Sequence, residues 1–366
     1  MGEQLFKFLF LMDPYDTLNL ETETSLLLMD ELKQKGHTVY WIEPDLLYLE
    51  QDRVMGEVRP VESVSPFRLG LPEEQGLANF DSLLIRNDPP FDINYYHLTL
   101  LLDYLPAGVI QINPSKALRD LNEKISGLRL PRFSPPAMTT KNWRHMLQFV
   151  KKQGEIVIKP LGECSGRGIE KLSAEDPALE QRLKMKMGEG KSALYLTAQA
   201  FLPAIYEGDK RIFLVDGECL GIVNRVPLNG SFMGNIHQGA RCEAATLNDH
   251  EKEILQKLAT FLESHGVFMA GVDLIGGNIT EINLTSPSAV RQINEVSGMK
   301  IEKLIVEKIL DYVAREQSRQ STKAPQIAEN VPAGDSDKAQ SLILKRLNSA
   351  TLCRDLLKGL PAPLSS

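Results

Sequence analysis

The feature that most constrains the fold lies at the start of the chain, where "FKFLFLMDP" (6–14), "ETETSLLLMDELKQKG" (21–36) and "HTVYWIEP" (37–44) follow one another. The outer two are apolar runs ended by Pro. The middle one repeats Leu26, Leu27, Met29 and Leu32 at helical spacing and stops at Gly36. A strand, a helix and a second strand within about 35 residues form a βαβ unit, and so imply a parallel sheet. "FDSLLIRNDPPF" (80–91) and "GVIQINP" (108–114) add two more short buried strands, each ended by Pro. Residues 1–120 therefore read as an open α/β domain with ligand groups at the carboxyl ends of its strands, where Arg86 and Asn113 sit.

The character then changes. "SKALRDLNEKISGLRL" (115–130) reads as a helix and "PRFSPPAMTT" (131–140) as a proline-rich link. Beyond it, "EIVIKPLG", "ALYLTAQAFL", "KRIFLVDGECLGIVNRV", "FMAGVDLIG" and "NITEINLTS" are strand-like, with a hairpin turn at Asp216-Gly217. This second region is antiparallel-rich, and a closing amphipathic helix is expected to end near residue 316. Residues 317–337 are polar and aperiodic, which reads as linker, and 338–366 as a last amphipathic helix that docks on the body or on a partner subunit.

A chain of 366 residues with 43% hydrophobic residues exceeds what one core supports. A net charge of −7 and no basic stripe exclude an electrostatic nucleic-acid footprint, so an anionic ligand must be gathered by a few placed cations. No apolar run reaches membrane-spanning length, and Asp13 and Pro14 arrive too soon for an export signal. A cytosolic protein without membrane partners is expected. The four cysteines (Cys164, Cys219, Cys242, Cys353) are scattered, without metal or redox spacing.

Three oxygen donors stand where a buried strand would favour carbon. Glu281 and Asn283 project from one face of "TEIN", and a three-residue hairpin loop at 276–278 would set Asp273 opposite Glu281. Opposed carboxylates repel unless a cation lies between them. Mg²⁺ prefers one or two carboxylates completed by water and phosphates. Lys159 ends an apolar strand and precedes a loop with Gly162, Gly166 and Gly168, where backbone amides can approach a phosphate. That loop lacks the GK[ST] ending of a Walker motif. Lys124 falls in the expected helix, while Lys210 and Arg211 begin one strand of the "VDGE" hairpin and Arg225 ends the other. No Ser-His-Asp or HExxH arrangement is present.

Taken together, "MDP" (12–14), "IRNDPPFD" (85–92), "INPSKALRDLNEK" (112–124), "IVIKPL" (156–161), "AQAFLPAIYEGDKRIFLVDGE" (198–218), "RVPLNGSFMGN" (225–235) and "GVDLIGGNITEINLTSPSAVRQI" (271–293) resemble bacterial glutathione synthetase, a member of the ATP-grasp ligases. The resemblance implies a pre-ATP-grasp domain over 1–120, a central lid over 121–200 and a C-terminal ATP-grasp subdomain over 201–316. It also implies Mg²⁺, with Mn²⁺ as an alternative, and a homotetramer. The implied reaction joins γ-glutamylcysteine to glycine through an acyl phosphate at the expense of ATP. By the same resemblance Asp273, Glu281 and Asn283 are metal ligands. Lys124, Lys159, Gly166, Gln199, Ala200, Phe201, Leu202, Glu207 and Lys210 are nucleotide contacts. Arg225 and Arg211 are catalytic cations, and Arg86, Asn113, Arg241, Ser286 and Ser288 contact the substrates. Two stretches depart from the family pattern: "KPLGECSG" in the phosphate loop, and "SFMGNIHQGARC", with Met233 where an arginine is expected and Ala240 where a glycine is expected. They motivate the alternative of a sibling ligase with another amine acceptor.

Overall fold

The computed structural model describes residues 4–228, 230–234 and 239–328, with side chains as far as residue 320. The described residues up to 316 form one compact unit, and the described part of the second is helical. The first sheet contains β1 (Lys7–Leu11), β2 (Thr38–Ile42), β3 (Leu47–Glu50), β4 (Arg53–Val64), β5 (Phe67–Leu69), β6 (Glu73–Gly76), β7 (Ser82–Ile85) and β8 (Ile110–Ile112). Its main path runs β3-β4-β2-β1-β7-β8, with β5 and β6 paired to β4. The pairs β1–β2, β1–β7 and β7–β8 are parallel, as the βαβ pattern requires. Phe8 and Phe10 of β1 enter one core while Leu9 and Leu11 enter another, which explains an uninterrupted apolar run: a parallel strand is buried on both faces. Helices α1 (Ser25–Gln34) and α2 (Ile93–Leu102) connect these strands. Apolar runs give no sign of β3 to β6, because β4 alternates buried and half-buried residues over its first half.

The expected helix over 115–130 breaks early. Helix α3 spans Ser115–Asp120, after which Asn122 bonds the Leu161 carbonyl through Nδ2 and accepts the Lys124 amide at Oδ1. Such side-chain bonds compete with the helix ladder, so Lys124 sits on a turn.

A second, antiparallel sheet contains β9 (Ala137–Thr140), β10 (Glu155–Pro160), β11 (Glu170–Ser173) and β12 (Leu196–Ala200) in the order β11-β10-β12-β9, with helices α4 (Trp143–Gln153) and α5 (Leu179–Met187). It packs a core of its own around Met146, Val150, Ile158 and Leu183. The third sheet is β15-β14-β13-β16-β17, made of β13 (Asp209–Val215), β14 (Glu218–Val226), β15 (Arg241–Ala244), β16 (Met269–Ile275) and β17 (Asn278–Asn283). Helices α6 (Asp249–Ser264), α7 (Val290–Ser297) and α8 (Ile301–Ala328) follow its strands. Its Ile212, Leu214 and Val272 share a core with the first sheet, and Phe213, Val215 and Met269 share the other. The first and third sheets are thus fused, while the second stands on separate packing.

Helix α8 continues through Ala328, so the expectation of a linker from 317 fails over its first twelve residues. The Gln, Arg, Lys and Ala residues of this stretch favour helix without an apolar stripe, while its polarity by itself reads as linker. The expected helix over 338–366 lies outside the described residues. Cys164, Cys219 and Cys242 are free thiols. Among the described residues no helix is long and apolar enough to cross a membrane.

Candidate active site

Strand alternation assembles the charged centre. Asp209 and Arg211 share one face of β13; Arg225 of β14 lies opposite Asp209, and Asp273 of β16 opposite Arg211. Glu281 of β17 faces Asp273, and Asn283 follows two residues on. The hairpin turns on two residues, Gly276 (φ 54°) and Gly277 (φ 71°), rather than three; a bulge after Asp273 restores the expected pairing with Glu281.

Asp273 holds two arginines. Its Oδ1 is 2.5 Å from Arg211 Nε and 2.9 Å from Arg225 Nη2, and its Oδ2 is 3.0 Å from Arg211 Nη2 and 3.2 Å from Asn283 Nδ2. Burial alone would raise its pKa, but the Arg211 and Arg225 guanidinium groups override burial and hold it at about 2. Asp209 answers differently. Burial pushes it up to about 6, and the charge of Asp273 adds to this against Arg225 and Arg211. Asp209 Oδ1 and Arg225 Nε are buried without a hydrogen-bond partner, a cost typical of functional sites.

Two cavities meet at this row. A largely apolar slot of about 80 Å³ lies between the second and third sheets, bordered by Lys159, Gln199 to Leu202, Phe232 and Met233. Lys159 Nζ and Gln199 Nε2 both donate to the Thr280 carbonyl, at 3.3 and 3.2 Å. Lys171 stands over the Phe201 ring at 3.7 Å, and Phe232 meets that ring edge-on at 6.4 Å. The second cavity, a polar chamber of about 260 Å³, is lined by Lys124, Gly166, Arg167, Arg211, Arg225, Asn283, Ser286 and Ser288, together with Asp13, Glu23 and Asp88 of the N-terminal domain. Asp273 and Glu281 line both cavities. Lys124 Nζ lies 3.2 Å from Glu281 Oε1 and also donates to the Glu163 carbonyl, which ties the glycine-rich loop to the row.

Five residues singled out from the sequence lie elsewhere. Lys210 points to the opposite face from Arg211, where Nζ bonds both Glu251 oxygens at 2.8 Å and the Thr246 carbonyl at 3.0 Å. Asn113 is buried, and its amide joins β8 to the third sheet through the Met269 and Leu284 carbonyls and the Phe268 and Met269 amides. Arg86 is buried as well and braces Ser25 Oγ and the Pro287 carbonyl, each at 2.9 Å. Glu207 is exposed and lines neither cavity. Arg241 is exposed and pairs with Glu243 at 2.6 Å. The motifs alone do not mark Asp209, Asp88, Asp13, Glu23, Arg167 and Phe232, all of which line one of the two cavities. Asp209 could have been found, since it shares a strand face with Arg211; the others reach the site through loops.

Among the described residues no three His, Cys, Asp or Glu side chains converge as a metal cage. The hard donors present, two carboxylates and an amide, fit a divalent ion that arrives with phosphates rather than one bound in a preformed site.

Two sheets enclosing an apolar slot, a glycine-rich loop, and a row of paired arginines and carboxylates leading into a polar chamber define an ATP-grasp ligase. Solved structures carry the same fold: D-cycloserine synthetase DcsG (TM-score 0.60, 12% identity, 84% of this chain and 99% of that one) and the ATP-grasp ligase PsnB complexed with minimal precursor, Mg and ADP (TM-score 0.55, 16% identity, 85% and 98%). The family models for the prokaryotic glutathione synthetase N-terminal domain and ATP-grasp domain match residues 6–119 and 123–298. Glutathione synthetase of Parasynechococcus marenigrum is 36% identical over 83% of this chain and 99% of its own, and that of Nitrosomonas europaea 32% identical over 84% and 99%. The chain belongs to the prokaryotic glutathione synthetase family, and is an ATP-dependent ligase.

Proposed function

We propose that this chain makes glutathione from γ-glutamylcysteine and glycine, with ATP cleaved to ADP and phosphate. The observation that carries the reading is the shared wall: Asp273 and Glu281 line both the apolar slot and the polar chamber, so a phosphoryl group passing from one to the other crosses them. A carboxylate cannot accept an amine directly, because oxide is too poor a leaving group. ATP places its adenine in the slot against Phe201 and Leu202, and Lys159 and Lys124 neutralise its phosphates. Asp273, Glu281 and Asn283 would hold Mg²⁺, or Mn²⁺ given the same hard donors, and the ion supplies charge neutralisation on the β- and γ-phosphates when bound.

The donor carboxylate then attacks the γ-phosphorus in line; its O–P bond forms as the bond to the β-phosphate oxygen breaks. Arg211 and Arg225 are preorganised by Asp273 to face the charge that develops. In the second step the neutral amine attacks the acyl carbon, phosphate leaves with its bridging oxygen, and the nitrogen gives up a proton. Ser286 and Ser288 line the chamber where the donor lies. Family likeness further supports a cytosolic homotetramer, measurable by light scattering.

A panel of amines tests the reading: purified protein with ATP, γ-glutamylcysteine and Mg²⁺ should release phosphate with glycine and yield a product of glutathione's mass. Phosphate release with another amine but not with glycine would move the chain to the sibling-ligase reading, which the departure from the family pattern at Met233 motivates.

A further inference from the structure

The part of the chamber walled by the N-terminal domain is charged in a way the phosphoryl step does not use. Asp13, Glu23 and Asp88 line it from the N-terminal domain, with the Asp88 amide bonded to Asp13 Oδ2 at 2.7 Å. The neighbouring cation, Arg86, is committed to Ser25 and the Pro287 carbonyl, and among the described residues none of the three carboxylates forms an ion pair with Lys or Arg. The buried Tyr95 hydroxyl has no hydrogen-bond partner and lies close enough to feel Asp88 and Asp13.

Across from them comes one cation on the glycine-rich loop. Arg167 is half exposed; its Nε lies 2.9 Å from Glu163 Oε2, and its Nη2 donates to the Pro89 carbonyl at 3.0 Å and contacts Cys164 Sγ at 3.2 Å. The Phe91 amide donates to the Gly162 carbonyl at 2.7 Å, so the loop is fastened to the segment that carries Asp88. Three carboxylates without a Lys or Arg ion pair, beside a guanidinium that Glu163 holds at Nε alone, complement a group that bears an ammonium and a carboxylate on the same carbon. Phosphates are repelled there. The reacting carboxylate belongs with Arg211 and Arg225 on the third sheet, and the acceptor amine must be neutral to attack. What remains is the end of the donor that takes no part in the chemistry.

We propose that Arg167 and Asp88 together recognise the unreacting α-amino-acid head of the donor, Arg167 binding its carboxylate and Asp88, supported by Asp13 and Glu23, its ammonium. The assignment rests on the ligase reading above and adds the residues that select a γ-glutamyl donor.

Two donor analogues separate the roles: 4-aminobutanoyl-cysteine lacks the α-carboxylate, and glutaryl-cysteine lacks the ammonium. Losing one charge-assisted hydrogen bond should raise KM about 10- to 100-fold. Arg167→Gln should do so for γ-glutamylcysteine and glutaryl-cysteine but leave 4-aminobutanoyl-cysteine unmoved, with partial recovery in Arg167→Lys. Asp88→Asn should do the reverse, weakening γ-glutamylcysteine and 4-aminobutanoyl-cysteine and sparing glutaryl-cysteine. Equal losses for all three donors would reduce Arg167 to a latch on Pro89, and a change in the amine's KM alone would place it on the acceptor; either result overturns the proposal. Calorimetric titration of the same compounds into the full chain reads the pattern without catalysis. Selective binding without wild-type turnover sinks the ligase reading, whereas turnover with a flat pattern across the variants sinks this one.

Discussion

The two ends of the chamber are built by different means. At the reacting end Arg211, Arg225, Asp273 and Glu281 ride on strands of one sheet, locked by register: Arg211 against Asp273, Arg225 against Asp209, Glu281 against Asp273. At the recognition end Asp13, Asp88 and Arg167 lie outside the strands and meet through contacts between segments some 75 residues apart in sequence, as in the bonds of Asp88 to Asp13 and of Arg167 to Pro89. Strands hold geometry to the tolerance that phosphoryl transfer demands, while loops can be re-lettered without disturbing the core. The sharpest test of the strand-borne end is Glu281→Gln. Among the described residues its only ion pair is with Lys124, so the fold should persist, while kcat should fall by about 10²–10³ and the Mg²⁺ needed for half-maximal rate should rise. Unchanged kcat across a magnesium titration would make the row structural.

The same contrast decides what could be read from the sequence. Alternation and turn chemistry act locally, so Asp273, Glu281, Asn283, Arg211 and Arg225 could be set on one face from letters alone. Arg86 and Asn113 could not be assigned that way. The preference of ligands for strand carboxyl ends is statistical, and here those ends are occupied by contacts to segments 155 to 201 residues away. Asn113→Ala is therefore a test of stability. It would strand two carbonyls and two amides in a buried seam, costing about 3 kcal/mol by denaturant titration, with both substrate KM values unmoved. A raised donor KM at unchanged stability would return Asn113 to the binding surface.

The loop-borne end should also be the pH-sensitive one. Burial, reinforced by Glu23 and Asp13, pushes Asp88 up to about 6, so it takes up a proton as pH falls through that value and loses its attraction for an ammonium. The donor's kcat/KM should then fall up to about tenfold per pH unit below 6, as the free enzyme's essential base requires. Asp209 titrates in the same range, so the control is Asp88→Asn, which should flatten the donor profile and leave the nucleotide's in place. Asp273, held near 2, stays ionised throughout, and its contribution to stability is present above pH 4 and lost only as pH falls from about 4 towards 2. A donor profile unchanged in Asp88→Asn would assign the pH dependence to the strand-borne end.

The smallest predicted effect belongs to two neighbours on one strand. Lys210 and Arg211 are adjacent, and the family resemblance gives both a place at the active site, but alternation lets only one reach it. Arg211 enters the chamber. Lys210 instead crosses to Glu251, whose carboxylate also accepts the Asn248 amide in the capping box that starts α6. Lys210→Ala removes the counter-charge from a buried carboxylate that keeps its capping bond, so the loss should be about 1 kcal/mol, a shift of roughly 1–2 °C in Tm for a chain of this size. Nucleotide affinity should not change. If ATP binding weakened while Tm held, the lysine would have to leave Glu251 when nucleotide enters, and the face of β13 towards α6 would belong to the nucleotide site after all.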